Sequence, residues 1–76
     1  MEITLRELCP GMRARVTGLH CDDALKARLA DFGLVPGTEL SCRYRSPGGS
    51  VAALELRKTV LAIRTRDLGH IRAEVL

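Results

Sequence analysis

The chain has no tryptophan, a single phenylalanine and a single tyrosine among 76 residues. Its core must therefore be aliphatic, and functions that depend on platforms of stacked rings are disfavoured. No apolar run approaches the roughly 20 residues needed to span a bilayer, and the opening MEITLREL lacks the basic and apolar regions of a signal peptide. A cytoplasmic location without membrane insertion is the expectation. Cys9, Cys21 and Cys42 are odd in number and widely spaced, which argues against an internal disulfide framework and for reduced thiols. Catalytic constellations are also missing. No nucleophile stands at recognisable spacing from a base, and Gly48-Gly49 lacks the Lys-Ser/Thr ending and following helix of a phosphate loop. An enzyme is not expected.

Hydrophobic residues make up 46% of the chain, and twelve Lys and Arg against nine Asp and Glu give a net charge of +3. That size sets one domain over residues 1–76, burying about 60% of its unfolded surface. Residues 39–76 carry the surplus, with seven cations against four anions, whereas residues 1–38 hold five of each. The bias is mild, well short of a polybasic tail.

The densest structural signal runs from Arg28 to Gly37. With Gly33 as the left-handed residue that closes a helix, Leu34 follows it and Leu29 is the third helical position before the cap. These are the paired apolar positions of a Schellman motif. Pro36 bars helix continuation and Pro36-Gly37 suits a type II turn, so a helix hands over to a strand beginning near Thr38. Upstream, Asp22 or Asp23 caps a helix of about ten residues whose stripe is Leu25, Leu29 and Phe32.

Thr4 to Leu8 forms a short helical turn with Glu7 as box partner of Thr4, ended by Pro10-Gly11. Met12 to Thr17 alternates with the period of a half-buried strand, and Gly18 marks a bend or bulge. From Thr38 the period of two returns, with Leu40, Cys42 and Tyr44 on the inner face and Glu39, Ser41, Arg43 and Arg45 on the outer. Ser46 to Ser50 joins this strand to Val51–Arg57 as a hairpin. Thr59 to Arg64 is strand-like and apolar on both faces, Thr65 to Gly69 is a helical turn, and Ile71, Ala73 and Val75 alternate to the end. The sum is a mainly β fold: a small SH3-like barrel of about five strands with one short inserted α-helix and short helical turns.

LRELCPGMRARVTGL, ARLADFGLVPGTELSCRYRSPGG and LELRKTVLAIR resemble the FeoA family, small cytoplasmic proteins associated with bacterial ferrous iron uptake. The motif residues are Leu29, Gly33, Leu34, Pro36 and Gly37, preceded by Leu8, Pro10 and Gly11. The resemblance implies an SH3-like barrel, no catalytic activity, no required cofactor, and an accessory role to FeoB, the membrane iron transporter with a cytoplasmic GTP-binding domain. Two positions depart from the family pattern. The hairpin loop reads Pro47-Gly48-Gly49-Ser50-Val51 where Pro-Leu-Gly-Asp-Pro is usual, and Lys58 stands where glycine is common. A similar domain occurs at the C-terminus of iron-dependent repressors of the diphtheria-toxin type, so a stand-alone relative of that domain is an alternative.

Three kinds of site compete. Cys9, His20, Cys21, Cys42 and His70 offer donors suited to zinc or ferrous iron. They contain no Cys-x-x-Cys or His-x-x-x-His pair, and Cys42 falls in core phase, leaving His20, Cys21, Cys9 and His70 as candidates for weak binding. Arg43, Arg45, Arg57 and Lys58 could line one solvent face, but without exposed rings for stacking, nucleic acid is not the expected partner. Protein docking fits best, with Val35 and Pro36 at an apolar hinge and Arg43, Arg45 and Arg57 steering a partner. Oligomeric state is not readable from the chain.

Overall fold

A computed structural model describes the whole chain, Met1–Leu76. Six strands form one antiparallel sheet: β1 (Glu2–Thr4), β2 (Arg13–Leu19), β3 (Glu39–Arg45), β4 (Val51–Leu56), β5 (Thr59–Arg64) and β6 (Ile71–Val75). Their order is β1-β6-β2-β3-β4-β5. Helix α1 (Asp23–Asp31) joins β2 to β3, and the single turn α2 (Thr65–Leu68) joins β5 to β6. A 3-10 turn, Leu5–Glu7, follows β1, with the Glu7 carboxylate accepting from the Thr4 amide at 2.9 Å. The end strands β1 and β5 are not hydrogen-bonded to each other. The two helical turns that follow them pack together and close that side of the molecule.

The core is aliphatic, as the lack of aromatics requires. Leu5, Leu8, Leu34, Leu54, Leu68 and Ile71 are among the fully buried side chains, and both aromatic residues lie on the surface. Asp22 caps α1 by accepting the Leu25 amide at 2.8 Å. At its other end Leu34 N–H donates to Leu29 O and Gly33 N–H to Ala30 O, each at 2.9 Å, with Gly33 at φ +89°. This is the bonding pattern of the Schellman cap, and it buries Leu29 and Leu34 together. Thr38 N–H then donates to Val35 O at 3.1 Å with Gly37 at φ +95°, so the Pro36-Gly37 turn feeds β3 directly.

Several expectations need correction. There are six strands where about five were expected, because the three residues of β1 pair with β6, Ile3 opposite Ala73. Phe32 is not on the buried stripe of α1. It is the cap residue, 55% exposed, because the chain reverses at Gly33 and Leu34 fills the core position instead. Tyr44 does not point inward with Leu40 and Cys42. The β3–β4 register shifts between Cys42 and Tyr44, a bulge that inserts Arg43 and turns every later side chain over. Tyr44 is consequently 60% exposed. In β5 only Ile63 is buried, since the strand is an edge rather than a two-sided core strand. A second register shift, between Val16 and Gly18, lies where Gly18 marked a bulge.

Candidate docking surfaces

The helix-to-strand corner builds one candidate surface. Because the Schellman cap carries Leu34 inward and the following turn carries Pro36 outward, Val35 is left half-buried between them. Val35 and Pro36 edge a hollow of about 360 Å³ that also touches Leu19, Lys26, Ala30 and Leu34. Thr38, which anchors the corner, is buried and donates its hydroxyl to Gly33 O at 2.7 Å. Lys26 has no carboxylate partner among the ion pairs of the structure, so an apolar hollow carries one free cation at its rim.

The three arginines expected to act together are placed separately. Arg43, the bulge residue, is exposed and pairs with Glu55 at 2.6 Å. Arg57 is at the β4–β5 tip, exposed and with φ +50°. Arg45, beyond the bulge, faces the opposite way from the outer surface on which the alternation set it. Its Nη1 donates to Arg6 O at 2.8 Å and Leu8 O at 3.0 Å. Those bonds tie β3 to the entry turn and leave Arg45 half-buried, which suits a brace better than a steering charge.

The potential metal donors are not gathered. No group of three or more His, Cys, Asp and Glu side chains is placed to hold an ion. His20 and His70 approach through their backbones, the His20 amide donating to His70 O at 2.7 Å. Cys9 is exposed, Cys21 half-buried and Cys42 buried. Burial pushes the Cys42 thiol up, opposed by Arg45 and assisted by Cys9, and its place in the core sets it among the small apolar side chains.

Sequence reasoning missed two surface features: the exposed aromatics Phe32 and Tyr44, and the open edge of β5. Phe32 carried a usable signal, because a residue immediately before a left-handed cap glycine is at the helix end and can turn away from the stripe. Tyr44 carried none, since a bulge depends on the partner strand. No helix is long and apolar enough to cross a membrane.

The FeoA domain family model matches residues 3–75. A FeoA-like protein from Clostridium acetobutylicum is 31% identical, with TM-score 0.89 over 99% of this chain and 87% of that one. A zinc-complexed FeoA from Stenotrophomonas maltophilia is 28% identical, with TM-score 0.81 over 95% of this chain and 89% of that one. It is described as a procaryotic SH3 domain protein and a possible bacterial ferrous iron transport activating factor. A manganese-dependent transcriptional repressor shares the fold at TM-score 0.91 and 13% identity, over 99% of this chain and 41% of that one. No curated protein matches the chain.

Proposed function

The chain belongs to the FeoA family, and on that premise we propose that it is a non-catalytic, cytoplasmic accessory protein of ferrous iron uptake that docks on the cytoplasmic GTP-binding domain of a FeoB-type transporter. The observation that carries this reading is the corner hollow, where Val35 and Pro36 flank an apolar depression beside the unpaired Lys26. An apolar centre with a charged rim is the anatomy of a docking patch. The likeness to a possible transport activating factor supports the same role. A module without catalytic groups acts by binding one conformation of its partner more tightly than another. Arg57, outside the ion pairs, adds positive potential that speeds encounter with an acidic partner surface, while Arg43 balances Glu55.

Surface-immobilised GTP-binding domain tests the patch. Val35→Asp is expected to lower affinity by about tenfold or more, a factor equivalent to about 1.4 kcal/mol, while circular dichroism stays unchanged. Arg57→Glu should slow association and reduce its salt dependence. Unaltered binding by both variants would place docking elsewhere. Weak zinc or ferrous iron binding at His20, Cys21, Cys9 or His70 is the second reading. A Cys21→Ser variant that loses metal uptake but keeps docking would establish it as separate.

A further inference from the structure

β5 ends the sheet on an open edge. Thr65 N–H donates to Ser50 O at 2.9 Å, and a two-residue tip joins Leu56 to its partner Thr59. In an antiparallel ladder hydrogen-bonded pairs alternate, so Thr59, Leu61 and Ile63 bond toward β4. Val60, Ala62 and Arg64 therefore aim their N–H and C=O groups outward, where no strand pairs with them. Such an edge invites another strand unless it is covered.

The cover here is partial and apolar. Phe32 lines two adjoining hollows along this edge, one of about 380 Å³ shared with Leu56 and Leu61 and one of about 260 Å³ shared with Leu29 and Ile63. On the outer face Val60 is 53% exposed beside exposed Ala62. An added strand would meet apolar side chains on both of its faces.

Charge selects the occupant. Arg28 and Arg64 border one hollow, Arg57 borders the other, and Lys58 is beside Arg57 at the tip. None of these four is in an ion pair. Asp31 and Asp67 are the carboxylates lining the two hollows. Arg57 and Lys58 hold φ of +50° and +65°, a tip conformation that Asn-Gly adopts at far lower cost, so the two long cations sit at the tip against backbone strain. A second copy pairing antiparallel through β5 would bring Arg64 of each chain toward the other's Arg57-Lys58 tip, and like charges across strands destabilise. We propose that β5 accepts an extended, acid-flanked segment of a protein partner as a seventh strand, with its apolar side chains on Phe32 and its carboxylates near Arg64 and the Arg57-Lys58 tip. The inference goes beyond docking at the corner hollow and does not depend on which protein supplies the segment.

The probe is a blocked octapeptide of alternating valine and threonine with two acidic residues at each end, added to the isotopically labelled full chain. Saturable shifts at Val60, Ala62, Arg64 and Phe32, with slowed exchange of the outward amides, are expected. Arg64→Glu, and a peptide with lysine ends, should each weaken binding about tenfold, the effect of one or two cross-strand charge pairs. Ala62→Pro should abolish binding while the fold persists, because its amide is outside the β4 ladder. Absence of shifts at millimolar peptide, shifts away from β5, or equal binding of the lysine-ended peptide would overturn the proposal. So would β5 shifts on concentrating the protein alone, which would make a second copy the occupant. Because the probe is a synthetic peptide, its failure leaves docking on the GTP-binding domain intact.

Discussion

Leu34 has no exposed surface at the point where α1 hands over to β3, and its truncation removes both a core contact and the apolar half of the helix cap. Leu34→Ala is expected to cost about 2–5 kcal/mol, read from urea unfolding. Arg45 acts at the same scale through two carbonyls rather than through burial. Arg45→Ala leaves Arg6 O and Leu8 O without their charged donor and should cost about 1.5–3 kcal/mol, with Arg45→Lys recovering part of it. Titration adds a third residue-level consequence. The side-chain hydrogen bonds and charge of Arg72 hold the Glu2 carboxyl below the usual glutamate range. A folded-state value below the unfolded one means the unfolded chain binds the extra proton, so this contribution is present above the ordinary glutamate pKa and fades as pH falls through the lowered one. Glu2→Gln should lie below the parent in urea midpoint near neutrality and converge with it in acid, with added salt narrowing the gap.

At the scale of elements, the cap of α1 and the tip of the β4–β5 hairpin make opposite predictions. Gly33 holds φ +89°, and a Cβ there would sit 3.6 Å from Leu56 Cδ1, an ordinary contact. The cost of Gly33→Ala is therefore conformational, about 1–2 kcal/mol. Asp22→Ala, which removes the N-cap acceptor, should cost about 1 kcal/mol. Replacing Arg57 by Asn and Lys58 by Gly relieves two left-handed positions and should raise stability by about 1 kcal/mol or more. A gain in thermal midpoint with loss of acidic-peptide binding would show that the tip cations serve recognition at a cost in stability. The cap was readable in the chain because all of its determinants lie within the run from Leu29 to Gly37. The β3 bulge was not, because it exists only in the register against β4, and it moved both Tyr44 and Arg45 to the faces opposite those their alternation indicated. β1 escaped notice for a related reason: three residues carry too little periodicity, and what makes them a strand is β6, some seventy positions away in sequence.

For the whole molecule, the aliphatic composition correctly foretold a core without rings, and the motif from Leu29 to Gly37 foretold the family. Where the surface works was less legible. Val35 and Pro36 are at a hollow, but the arginines grouped by sequence are distributed over three places because strand faces are assigned by tertiary pairing. Arg13 and Arg15 are paired with Glu39, whereas Arg57, Lys58 and Arg64 at β5 and its tip are outside the ion pairs. The most direct test of accessory docking is an amide-shift titration of the labelled full chain with the transporter's GTP-binding domain, reduced and metal-free, in both guanine-nucleotide states. Saturable shifts that include Val35 and its neighbours are expected, with affinities that differ between the two states. Absence of shifts in both states at high concentration would contradict accessory docking.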